Sequence, residues 1–149
     1  MEKITSFTVD HLKLLPGLYV SRVDTMDNFT FTTFDLRVTR PNFEPVMDTS
    51  VCHTIEHLGA TYFRNKYPND TMYFGPMGCR TGFYLIVKGN KTSKDYLNKV
   101  IDCMKFITSY EGPIPGASAI ECGNYLDLNL DMAKYYAKKY LEVLENENR

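Results

Sequence analysis

Two of the chain's three histidines lie close together, in His53-Thr54-Ile55-Glu56-His57. Residues three and four apart share one face of an α-helix. At about 100° per residue, Val51, Ile55, Leu58 and Tyr62 point one way, and His53, Glu56 and His57 point nearly the opposite way. Such a helix buries one side and offers two imidazoles and a carboxylate on the other. Imidazoles one turn apart can chelate a divalent ion, and the adjacent carboxylate can move protons. The pattern alone leaves three readings open. They are a solvent-facing polar stripe, an H-x-x-E-H metallopeptidase, and a metal-binding domain without catalysis.

Two cysteines add to that set. Cys79 lies in Phe74-Gly75-Pro76-Met77-Gly78-Cys79-Arg80-Thr81-Gly82, and Cys122 in Glu121-Cys122-Gly123-Asn124-Tyr125. Neither fits an apolar period. Both fall in glycine-bearing turns, where scaffolds tend to present functional groups. A thiol so placed can be a soft metal ligand, or a base or nucleophile if its pKa is depressed. Arg80 adjoins Cys79, but neighbours in an extended segment point opposite ways, so the sequence leaves open whether Arg80 reaches the sulfur. Cys52 and Cys103 lie within helical patterns and read as small buried fillers.

These groups need elements to hold them. The histidine helix is expected from about Val51 to Lys66, with Asp48, Thr49 and Ser50 as candidate caps and Pro68 as its stop. A second helix begins after Thr92, with Asp95 placed as the acid of a capping box. Leu97, Val100, Ile101, Met104 and Ile107 carry its apolar spacing, and Gly112-Pro113 follows. A third spans roughly Leu128 to Leu144, with Ala133, Tyr136, Ala137, Tyr140, Leu141 and Leu144 as its stripe. The polar tail Glu145 to Arg149 is expected to fray. Phe29 to Thr39 reads as a strand ended by Pro41, with Phe34, Leu36 and Val38 on one side and Asp35, Arg37 and Thr39 on the other. Phe83 to Val87 reads as a buried strand. Strands and helices without a βαβ rhythm predict an α+β fold: one domain over residues 1–149, a two-layer sandwich of a mainly antiparallel sheet with packed helices.

The 149 residues suit one domain that can build its core without a metal or disulfides. A net charge of −1 gives no electrostatic reason for a nucleic-acid or anionic-membrane partner. No stretch approaches the roughly 20 apolar residues of a membrane span. The first residues lack the basic and apolar regions of a signal peptide. The expectation is a cytoplasmic protein with neither nucleic acid nor membrane as partner.

Taken together, Ser6-Phe7-Thr8-Val9-Asp10-His11, Phe34-Asp35-Leu36-Arg37, His53-Thr54-Ile55-Glu56-His57, Gly75-Pro76-Met77-Gly78-Cys79-Arg80-Thr81-Gly82-Phe83-Tyr84 and Glu121-Cys122-Gly123-Asn124-Tyr125 resemble the S-ribosylhomocysteine lyase family in order and spacing. The resemblance implies a homodimer with two metal sites at or near the subunit interface. It implies Fe(II) as the native ion, with zinc or cobalt also found in the site. It further implies His53, His57 and Cys122 as metal ligands, Glu56 and Cys79 as the acid–base pair, and Ser6, His11 and Arg37 as substrate-pocket residues. Arg37 would hold the substrate's carboxylate or a sugar oxygen, unless an ion pair with Asp35 occupies it. The implied reaction releases homocysteine from S-ribosylhomocysteine. Two positions depart from the family: Tyr73 stands where many members have Asp, and Thr33 where many have Lys.

Overall fold

The computed structural model describes residues 1–147. Four strands form one antiparallel sheet in the order β1-β2-β4-β3, with β1 Gly17–Met26, β2 Phe29–Arg37, β3 Thr71–Pro76 and β4 Gly82–Lys88. Three helices, α1 Thr49–Lys66, α2 Ser93–Thr108 and α3 Leu130–Glu147, share its core. This is the expected α+β arrangement.

Alternation along the strands decides which sheet face the helices cover. Phe34 and Leu36 of β2, Phe83, Leu85 and Val87 of β4, and Phe74 of β3 join the core with Val51, Ile55 and Leu58 of α1. Burying each such side chain contributes about 1.5–3 kcal/mol. The rings interlock: Phe74 stacks on Phe83 at 5.3 Å, and Phe34 lies 4.8 Å from Tyr96. Helix α1 can pack directly on β3 because Gly59 has no side chain. A Cβ there would overlap the Phe74 ring. That close approach brings the helix carrying both histidines against the strand leading to Cys79.

The elements differ from expectation mainly at their ends. Helix α1 starts at Thr49, because the Asp48 carboxylate accepts that residue's N–H at 2.9 Å. The Thr92–Asp95 capping box forms as expected. Helix α3 runs on through Glu147, so residues 145–147 are helical, and the rest of the expected fraying tail lies outside the described residues. Strand β2 ends at Arg37, since the N–H groups of Val38 and Thr39 both turn to the Thr81 carbonyl and leave the ladder.

The other sheet face is not simply solvated. Thr33, Asp35 and Arg37 on it are buried. The N-terminal segment crosses nearby: the Ser6 Oγ lies 3.5 Å from the Tyr84 hydroxyl, and the Tyr19 hydroxyl donates to the Leu15 carbonyl.

Candidate metal centre and active site

Helix α1 keeps Val51, Ile55 and Leu58 in the core and leaves His53, Glu56 and His57 half-buried on its other side. The irregular segment from 109 to 129 lies across these three. The Asp127 carbonyl accepts from His53 Nδ1 at 2.9 Å, and the Pro115 carbonyl from His57 Nδ1 at 2.8 Å. A carbonyl oxygen only accepts, so each Nδ1 carries a proton, the tautomer in which Nε2 of a neutral ring is the atom that can bind a metal. The Cys122 Sγ sits 3.4 Å from His53 Nε2 and accepts from the Asn124 amide. One donor atom each from His53, His57 and Cys122 lies within 4.8 Å of the others. Two neutral imidazoles and a thiolate, with bonds of about 2.0–2.3 Å, suit a borderline-soft divalent ion and leave a coordination position open, as in catalytic sites. The donor set therefore fits a metal.

The segment itself is pinned to the helix. Buried Thr54 donates to the Ser50 carbonyl and accepts from the Asn129 amide at 2.8 Å. Gly116 adopts φ +72, and a Cβ there would sit 3.2 Å from His57 Nδ1. Only glycine allows the backbone to pass so near the ring in that conformation. The Glu56 carboxylate lies 3.5 Å from His57 Nε2. The hollow above the cluster has a volume of about 450 Å³ and is also lined by Pro76 and Glu121.

Cys79 occupies a second hollow with His11 and Thr81. The Cys79 Sγ lies 3.2 Å from the Thr81 hydroxyl and 3.9 Å from Arg37 Nη1, which itself donates to that hydroxyl at 2.7 Å. Cys79 is exposed to solvent, and the partial enclosure of its sulfur by itself pushes the thiol's pKa up. The side-chain and backbone hydrogen bonds of Thr81 and the Arg37 charge outweigh it, and the net pKa lies below the usual cysteine value. Behind them, Arg37 forms a bidentate pair with Asp35, Nε to Oδ1 at 3.1 Å and Nη2 to Oδ2 at 2.6 Å, with Arg37 only 3% exposed.

A family profile described as S-ribosylhomocysteinase (LuxS) matches residues 4–149. The chain belongs to that family. An S-ribosylhomocysteine lyase from Finegoldia magna is 60% identical, covering 98% of this chain and 94% of the relative. Lyases of the same name from Clostridium beijerinckii and Borrelia garinii subsp. bavariensis are 59% and 56% identical with the same coverage. Membership in this carbon–sulfur lyase family sets aside the peptidase and non-catalytic readings of the histidine motif.

Six of the eight candidate site residues line one of the two hollows, Arg37 reaches Cys79 from behind, and Ser6 lines neither. His53, His57, Glu56 and Cys122 line the first, and Cys79 and His11 the second. Ser6 lies on the Thr5–Phe7 turn against Tyr84, and the His11 ring is held by the Val9 carbonyl at 2.9 Å. The cation facing Cys79 is Arg37, forty-two residues away in sequence, and not its neighbour Arg80. Arg80 takes a left-handed conformation at φ 60, and its charge acts on Cys52 instead. Sequence reasoning missed Thr81, Gly116 and the carbonyls of Pro115 and Asp127. A Thr two residues after Cys79 was the one available signal, since carbonyls carry no residue type. Of the departing residues, Thr33 is buried in the sheet, whereas Tyr73 is half-exposed with its ring laid over Gly75.

Proposed function

We propose that this chain, working as one domain over residues 1–149, cleaves S-ribosylhomocysteine to homocysteine and 4,5-dihydroxy-2,3-pentanedione, the precursor of autoinducer-2. The observation that carries this reading is a Cys79 thiol biased toward its anion in a chain that also gathers His53, His57 and Cys122. The substrate's sulfur sits on C5 of a ribose and leaves only when a carbonyl stands at C3. Opening the sugar gives a carbonyl at C1, so it must move twice before the bond can break.

Bound by His53, His57 and Cys122, a divalent ion supplies Lewis acidity to the sugar oxygens, and Fe(II) is the ion assigned, with zinc or cobalt able to use the same donors. Cys79 as thiolate takes the proton from C2 and returns it to C1, then takes that from C3 and returns it to C2. Glu56 carries the matching protons between hydroxyl and carbonyl oxygens. With the carbonyl at C3, the Glu56 carboxylate takes the C4 proton, and the C4–C5 double bond forms as the C5–S electron pair leaves with sulfur. The homocysteine sulfur takes up a proton, and the enol left on C4 becomes the second ketone. Ser6 and His11 are the groups that line the substrate pocket. Arg37, with its donors already engaged by Asp35 and Thr81, acts mainly by holding the Cys79 charge.

We also assign a homodimer. Phe7 and Leu12 of the N-terminal segment, and Met26 and Phe29 beside the β1–β2 turn, are each more than half exposed, apolar surface that a second copy of the chain could cover. Among the described residues no helix is long and apolar enough to cross a membrane. Four unpaired thiols, two of them with working roles here, favour a reducing compartment such as the cytoplasm. There the diketone would feed autoinducer-2 signalling, and homocysteine would return to the methyl cycle. The test is anaerobic: Fe(II)-loaded protein is given S-ribosylhomocysteine, and homocysteine release is followed by mass spectrometry beside Cys79→Ala. Release by the unaltered protein and none by the variant supports the reading. No release by folded, dimeric, metal-loaded protein overturns it.

A further inference from the structure

We propose that Lys139 is a positioning residue: through its ion pair with Glu44, it holds the 40–46 loop in place as the wall of the Cys79 hollow. This rests on the reading that the substrate enters that hollow. Pro41, Asn42, Phe43, Glu44, Pro45 and Val46 form one side of it, opposite His11, Cys79 and Thr81. The loop is well built within itself. Asn42 takes φ 65, the Phe43 and Glu44 amides both donate to the Arg40 carbonyl, and the Arg40 amide donates to the Glu44 carboxylate. The Arg40 guanidinium lies over the Phe43 ring, 3.8 Å from its centre.

Packing anchors the two ends of this unit, through buried Pro41 and through Met47, which is fully buried and whose amide donates to the Arg80 carbonyl. Its middle is less held, with Phe43 60% exposed and Val46 40%. There Glu44 reaches α3, where its Oε1 accepts from Lys139 Nζ at 2.5 Å. The same carboxylate thus closes the loop through the Arg40 amide and ties the closed loop to the helical layer. Burial raises the Glu44 pKa, but the Lys139 and Arg40 contacts outweigh it and leave it lowered, while the bond to Glu44 raises that of Lys139. The pair is therefore fully charged at neutral pH. Lys139 itself does not line the hollow. Its loss should reach the reaction only through the loop, which shapes how substrate is received.

The experiment compares metal-loaded Lys139→Met, Glu44→Gln, the double variant and Lys139→Arg with the unaltered protein, with Lys138→Met on the exposed side of α3 as control. Hydrogen exchange of the 40–46 amides reads the loop directly, and KM and kcat for S-ribosylhomocysteine read its effect. A partly exposed ion pair predicts loop exchange roughly three- to five-fold faster and KM raised by a similar factor, with kcat within about twofold. The double variant should be no worse than either single one, and Lys139→Arg should restore both readouts. Loop exchange unchanged in both single variants overturns the latch. A loosened loop with KM unchanged overturns the positioning role, as does a fall in kcat alone. Absence of turnover in the unaltered protein counts against the proposed function, and the exchange comparison still decides whether the latch exists.

Discussion

The two hollows hold reactive groups by different means. His53 and His57 are oriented by main-chain carbonyls, those of Asp127 and Pro115, so the support of the metal cluster is neutral and belongs to no side chain. Cys79 is held mainly by side chains, Thr81 and Arg37 with Asp35 behind them, and the first two, together with the Thr81 backbone bond, lower its pKa. The first arrangement suits ligands that must stay neutral at nitrogen to bind a cation. The second suits a thiol that must stay anionic. The metal support should therefore be sensitive to backbone shape and insensitive to charge, and the thiol support the reverse.

The sharpest separation comes from removing one sulfur in each hollow. Cys122→Ala should lose metal and turnover together. Cys79→Ala should keep its metal while turnover falls roughly 10²–10⁴-fold, the usual worth of a positioned acid–base group. Metal content by elemental analysis beside homocysteine release reads both, and full metal occupancy in Cys122→Ala would remove it from the ligand set. Next in size is Arg37→Met. It strands the Asp35 carboxylate in a buried site, which should cost about 3–5 kcal/mol by urea denaturation. Asp35→Asn with Arg37→Met should recover a good part of that loss. In both variants, metal affinity should stay as it was. Gly116→Ala is the opposite probe. A methyl group 3.2 Å from His57 Nδ1, on a residue at φ +72, disturbs the ring and the carbonyl chain around it. Metal affinity should fall roughly 10–100-fold in a chelator competition, as it does when outer support of a ligand is lost. The pH dependence of Cys79 alkylation should not move.

The same contrast explains what the sequence could reveal. The side-chain groups His53, Glu56, His57, Cys79, Cys122 and Arg37 were legible from type and spacing, or from the family resemblance they carry. So were α1 and α2, where a cap and an apolar period coincide at Asp48 and Thr92. Strand β3 was not, because Gly75 and Pro76 read as breakers. An edge strand tolerates both, and β3 is one. Strand β1 escaped for a related reason. It is the other edge, and with Tyr19, Val20 and Val23 partly exposed and a bulge between Val20 and Arg22, it shows no clean alternation. The 109–129 segment has no periodicity at all. Beyond Cys122, its contribution comes from two carbonyls and a glycine conformation, which only the folded backbone displays. Arg37 in place of Arg80 is a tertiary fact: β2 and the turn before β4 meet only through sheet register, with Arg37 paired to Gly82.

The smallest expected effect tests how the thiol's support is shared. Thr81→Val keeps the volume and removes the hydroxyl that bonds both the Cys79 sulfur and Arg37 Nη1. A lowered thiol pKa means that the anion persists to lower pH than in a free cysteine. Losing the hydroxyl must then shift the alkylation profile toward higher pH. The shift should be limited, because Arg37 Nη1 loses its partner at the same time and is already 3.9 Å from the sulfur, free to close on it. One neutral hydrogen bond, partly replaced by a charged donor, predicts a midpoint rise of less than about one pH unit in iodoacetamide alkylation followed from pH 5 to 10. A larger rise would make the hydroxyl, and not the guanidinium, the main support of the anion. No rise would mean that the hydroxyl is dispensable and that Arg37 and the backbone amides, which the substitution keeps, hold the anion.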